Sequence, residues 1–222
     1  AYLNNFQKGW TGFGKITPVS KDKFRKWLYN GKLTKLPAYK IVKQMKAVNE
    51  KKDRVCRILL KGVVEEGETL NNLKDQVKTD FDTLVFEIRS PGGSVLEGMQ
   101  IMQWLDALTG EGKEVITVVS ANAYSIASMI MLIANKRYIS KHGEVMVHDP
   151  MIPKIEYANA NQLESQVEEL RKLESVLHEL YKIFTGLDDD TIKGLMNKET
   201  YLKPEDAVRL GFADEVIEIE PQ

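Results

Sequence analysis

From residue 54 onward, short apolar runs alternate with amphipathic stretches. Residues 55–60 and 84–88 are apolar and β-branched enough to read as strands. Between them, 68–78 is polar, with Leu70, Leu73 and Val77 at helical spacing. A helix is predicted after Ser94, with Val95, Met99, Met102, Leu105 and Leu108 on one face and Gly110 at its end. Residues 115–119 form a third strand. Residues 123–134 are nearly all small or apolar, which predicts a helix buried on every side. Two further short strands follow at 137–140 and 144–148. The longest periodic segment is 159–186, where Leu163, Val167, Leu170, Leu173, Leu177, Leu180 and Phe184 recur at helical spacing. A short helix at 204–210 and a strand at 213–219 close the pattern. Repeated strand–helix–strand units predict an α/β fold with mostly parallel pairing.

Composition narrows the class. The chain has 222 residues, 43% hydrophobic and 28% charged, which excludes a disordered tail, a collagen or a disulfide scaffold. The single cysteine, Cys56, lies in an apolar run and reads as a small buried hydrophobe; one thiol fits a reducing, cytoplasmic setting. No apolar run approaches the ~18 residues of a membrane span. The first residues lack the apolar core of a secretory leader. Charge is divided unevenly. Residues 1–54 carry 14 Lys/Arg against three acids, whereas the remainder carries 17 bases and 29 acids. We therefore expect a basic N-terminal appendage at 1–53 and an acidic domain at 54–222. Within the appendage, helices are predicted over 21–29, capped by Ser20, and over 38–49. Its aromatics among lysines could bind nucleic acid. The favoured readings are a packed subdomain with a solvated basic face, or an arm docking on a neighbouring acidic subunit.

Three segments carry candidate chemistry. Ser90-Pro91-Gly92-Gly93-Ser94 follows a strand and opens a helix, where backbone N–H groups can face an anion. It lacks the Lys-Ser/Thr ending of a phosphate loop. Asn122-Ala123-Tyr124-Ser125-Ile126-Ala127-Ser128 turns from strand to helix; Ser125 and Ser128 are both candidates on chemistry alone, with a helix cap as the bland alternative. Val145-Met146-Val147-His148-Asp149-Pro150 ends a strand in an imidazole. Of the other histidines, His142 lies in a polar turn, and His178 on the long helix is expected to face solvent. No histidine cluster has metal-ligand spacing, so neither a metal nor a cofactor is expected.

Together these segments resemble the proteolytic subunit of the Clp protease. The order is Ser-Pro-Gly-Gly-Ser, a small-residue serine motif, then apolar-Met-apolar-His-x-Pro 23 residues beyond that serine. A long helix and the ending Tyr201-Leu202-Lys203-Pro204-Glu205-Asp206-Ala207-Val208 complete it. The stretch Asn159-Ala160-Asn161-Gln162-Leu163 is similar to the phage and prophage proteases of head maturation. The resemblance implies a crotonase-like fold of ββα units, with 159–186 as the handle helix through which rings meet. It implies a serine endopeptidase with Ser125 as nucleophile, His148 as general base, and an oxyanion hole of Gly92, Gly93 and Ile126 N–H groups. Glu199 stands where the family carries its aspartate, with Asn197 in reserve to orient the imidazole. Tyr124 and Ile126 replace the family's small residue and methionine on either side of the serine. The implied partners are protein or peptide substrates, further copies in a ring or double ring, and an unfoldase or a capsid or scaffold protein; no membrane is implied. Two other readings compete: a catalytically silent ring or capsid scaffold, and a crotonase-like acyl-CoA enzyme.

Overall fold

The computed structural model describes residues 54–77, 79–152 and 155–219. The basic appendage at 1–53 and its two expected helices lie outside the described residues. Strands β1 (Val55–Lys61), β2 (Thr83–Ser90), β3 (Glu114–Tyr124), β4 (Lys136–Ser140) and β7 (Glu215–Ile217) lie side by side in that order, all parallel. Two short strands branch from this sheet: β5 (Glu144–Val147) runs parallel to β3, and β6 (Thr200–Leu202) runs antiparallel to β5. The helices are α1 (Thr69–Asp75), α2 (Val95–Gly110), α3 (Ile126–Ile130), α4 (Ala160–Thr185), α5 (Asp189–Asn197) and α6 (Pro204–Arg209). Among the described residues, no helix is long and apolar enough to cross a membrane.

The central strands are apolar on both faces because both faces are covered. Leu84, Phe86 and Ile88 are fully buried on one side of β2. On the other side Val85 joins Val118, Tyr138 and Ile217 in a second, smaller cluster. Each large side chain fully removed from water contributes about 1.5–3 kcal/mol. β1 is an edge strand, and its alternation shows it: Cys56, Ile58 and Leu60 are inward, while Arg57 and Lys61 are exposed. The Gln76 side chain lies along this edge, accepting from Leu59 N–H at 2.7 Å and donating to Leu59 C=O at 3.0 Å.

β3 has two partners in succession. Ile116–Val119 pairs with β4, and Asn122–Tyr124 pairs with β5. The register with β2 shifts between Ile88 and Ser90, where the strand changes course. This pairing overrides part of the expected helix at 123–134. Ala123 and Tyr124 finish β3, and only Ile126–Ile130 is α-helical, followed by a 3-10 turn at Met131–Ile133. Cross-strand hydrogen bonds to β5 outcompete the helix propensity of these small residues. Helix α5 and strand β6 were not anticipated. The Asp188 side chain accepts from Thr191 N–H at 2.8 Å at the start of α5, a capping signal present in the sequence.

Helix α4 begins with a capping box between Asn159 and Gln162 and ends at Gly186, which takes the left-handed conformation (φ 75°). Its buried residues, Leu177, His178, Leu180 and Tyr181, all lie in its second half.

Glu97 ties α2 to α1. Its carboxylate is 1% exposed, accepting from Gly67 N–H at 2.9 Å and Leu70 N–H at 2.7 Å at the start of α1. A hydrogen bond to a charged group contributes about 1.5–3 kcal/mol, and orphaned buried donors cost a similar amount. Glu97→Ala is expected to lower the unfolding free energy by about 2–4 kcal/mol. Glu97→Gln, which keeps one acceptor oxygen, should fall between the two in chemical denaturation.

Candidate active site

The end of β3 places Ser125 in an unusual backbone state. Its φ of 54° and ψ of −129° lie where residues with a Cβ rarely sit, in the sharp turn between β3 and α3. Such a strand-to-helix elbow lifts a hydroxyl clear of both elements. Two contacts hold it. Ser125 N–H donates to Met146 C=O at 2.9 Å, fixing the elbow to β5. From the other side the Gly92 turn presses against it. A Cβ on Gly92 would lie 2.6 Å from Ser125 Cβ and 2.6 Å from Tyr124 O, and Gly92 itself has φ +90°. Only glycine fits both the space and the angle.

The Gly92-Gly93 turn is held by the loop after β1. Val64 N–H donates to Gly92 C=O at 2.8 Å, and Ser94 N–H to Val64 C=O at 2.8 Å. The buried Ser90 hydroxyl donates to Gly62 C=O at 2.7 Å and accepts from Gly92 N–H at 3.1 Å. Gly92 N–H is therefore occupied, which corrects its assignment as an oxyanion donor. Gly93 N–H and Ile126 N–H, the other two expected donors, are unengaged among the described residues. Gly92 contributes by fitting, not by donating.

His148 follows β5 directly, and because β5 pairs with the end of β3 its ring reaches the elbow. His148 Nε2 is 2.8 Å from Ser125 Oγ. The second serine candidate is placed differently. Ser128 is fully buried, its hydroxyl donating to Ser125 C=O at 2.6 Å and lying 2.7 Å from Tyr181 Oη on α4. It braces the elbow from beneath. Burial pushes the Tyr181 phenol up to about 12.

Glu199 is not brought to this pair. It takes φ +50° after α5, is exposed, and accepts from Tyr201 Oη at 2.9 Å. His148 Nδ1 is buried without a hydrogen-bond partner. Asn197 is exposed at the end of α5 and makes no bond to the imidazole. Tyr124 reaches the same tyrosine, Tyr201, from the end of β3. Tyr124 Oη donates to Glu144 Oε1 at 2.6 Å, Glu144 is ion-paired to Lys203, and the Tyr124 ring meets Tyr201 edge-on at 5.6 Å. The hydrogen bond to Glu144, then burial, pushes the Tyr124 phenol up to about 12.

A nucleophile-length Ser–His contact, two free N–H groups and a turn without side chains form a hydrolase-like arrangement. A family model described as Clp protease matches residues 68–220. This chain belongs to the Clp protease family. Among its relatives, the ATP-dependent Clp protease proteolytic subunit 1 of Protochlamydia amoebophila is 30% identical over 136 residues, covering 60% of this chain and 65% of that protein. The corresponding subunit 1 of Chlamydia abortus is 28% identical over 136 residues, covering 60% of this chain and 69% of that protein. The ATP-dependent Clp protease proteolytic subunit of Bdellovibrio bacteriovorus is 26% identical over 170 residues, covering 73% and 79%. The chain thus spans just under two thirds of the Protochlamydia relative.

The expectation for His178 is overturned. It is 5% exposed, because the second half of α4 packs on the domain and position 178 lies between buried Leu177 and Leu180. Its Nε2 sits 3.8 Å from Asp149 Oδ1, and Glu174 lies in the same group.

Gly92→Ala is expected to destabilise the protein by about 1–3 kcal/mol, read as a lowered thermal midpoint, through overpacking and a disfavoured positive φ. Lys203, then Tyr124, hold the Glu144 carboxyl below its ordinary value. A carboxylate depressed in the folded state adds stability above its unfolded value and loses it as pH falls through the folded one. The melting difference between the native protein and Glu144→Gln should therefore be full above about pH 5 and shrink below about pH 4. A difference independent of pH would contradict this.

Proposed function

We propose that this chain is the proteolytic subunit of a serine endopeptidase. The observation that carries the reading is the 2.8 Å contact between Ser125 Oγ and His148 Nε2 at a strained elbow. Ser125 attacks the peptide carbonyl while His148 takes its proton and later returns it to the departing amine. The carbonyl oxygen, now negative, is met by Gly93 N–H and Ile126 N–H. Loss of one such donor typically costs about 10²–10³ in rate.

Assembly into a ring or double ring is supported by α4. Leu163 and Val167, on its first half, are 40% and 56% exposed, a row of apolar side chains that a second copy would cover. We assign capsid or scaffold polypeptides as substrates, acting in the host cytoplasm, on the similarity of 159–163 to phage head-maturation proteases. The relatives' names include ATP dependence, which motivates a test for stimulation by an ATP-driven unfoldase. One observation favours the silent-scaffold reading: His148 Nδ1 has no partner, and Glu199 is bonded to Tyr201 instead.

Ser125→Ala is expected to reduce cleavage of a fluorogenic peptide by at least about 10³-fold. It should also abolish labelling by a fluorophosphonate probe. Labelling that persists in the variant would remove Ser125 from its role. Absence of labelling and turnover in the native assembly would select the scaffold reading.

A further inference from the structure

A second group of side chains lies behind His148. Asp149 is the next residue along, and Glu174 and His178 stand one turn apart on the same face of α4. One ligand-type atom from each lies within 4.8 Å of the other two. His178 Nε2 is buried and has no hydrogen-bond partner; Asp149 Oδ1 is in the same condition. The 3.8 Å between them is too long for a hydrogen bond. Two buried polar atoms facing each other unbonded are costly, and such groups call for an explanation.

We propose that Asp149, Glu174 and His178 bind a divalent transition-metal ion of the zinc class, independently of the peptidase reading. The donor set is one imidazole nitrogen and two carboxylates. Calcium and magnesium prefer all-oxygen sites, and thiolate-seeking ions find no cysteine here. Imidazole with carboxylate suits zinc and cobalt, with water in the remaining position. Bonds of about 2.0–2.2 Å require the three atoms to draw together to about 3.3 Å. A cavity of about 200 Å³, lined in part by Glu174, His178 and Asp189, opens beside the group and gives an ion access. Arg171 occupies Glu174 Oε2 at 2.8 Å, so the carboxylate has its second oxygen to offer. Lys193 also lines the cavity but is paired with Asp189 at 2.6 Å. An ion here would fix the His148–Asp149 backbone against α4.

The test uses the full chain, freed of metal by chelation and dialysis. Cobalt is titrated by visible absorption and zinc by calorimetry. The expected result is one ion per chain. Glu174→Gln and His178→Ala should each weaken binding at least about tenfold, the loss that even an outer-shell partner produces. His148→Ala and His142→Ala should retain it. Glu174 is only partly buried, so its variant reports even where His178→Ala fails to fold, with circular dichroism checking structure. No binding to the native chain would overturn the proposal, as would affinity unchanged in Glu174→Gln. Loss confined to His142→Ala would place the ion on the surface and overturn it equally.

Discussion

The structure around the serine depends on how closely two backbones approach. The Gly92 turn lies so near the elbow that a single added carbon would stand 2.6 Å from Ser125 Cβ. That contact, with the Ser125 N–H bond to Met146, holds a conformation that would otherwise relax. Everything else is arranged to supply it. The loop after β1 fixes the glycine turn through Val64, β5 fixes the far side of the elbow, and Ser128 with Tyr181 supports it from below. The strain at one residue is thus distributed over contacts from β1, β2, β5, α3 and α4.

Pattern and spacing made much of this legible. The strand at 84–88 was readable because a central parallel strand is apolar on both faces, and the edge strand at 55–60 was readable from its short run of apolar and β-branched residues. The long helix was readable from its period and from Gly186. The meeting of Ser125 with His148 was implied by motif order, and its physical cause is the β3–β5 pairing. What escaped is equally physical. The residues 123–134 look helical by composition, yet hydrogen bonding to β5 claims the first two of them. His178 looked exposed because its neighbours on the helix are charged; its burial depends on which half of α4 meets the domain. Gly92 was read as a donor, but the Ser90 hydroxyl had already taken its N–H.

The acid position shows where motif matching ends. Glu199 occupies the expected place in the sequence, but its carboxylate turns to Tyr201, and Tyr124 stands beside that ring. Tyr201 thus touches both the Tyr124 ring and the Glu199 carboxylate. Tyr124 also belongs to a network that runs from Lys203 through Glu144.

The two margins of the β1–β2–β3–β4–β7 run bear on how copies can associate. On one margin the Gln76 amide mimics a neighbouring strand at Leu59, flanked by the charged side chains of Arg57 and Lys61. On the other, β7 is three residues long. Among the described residues neither of these two margins offers a continuous row of free main-chain groups, so both are poor templates for runaway β-stacking. Fibril-like growth from these two margins is disfavoured at its source.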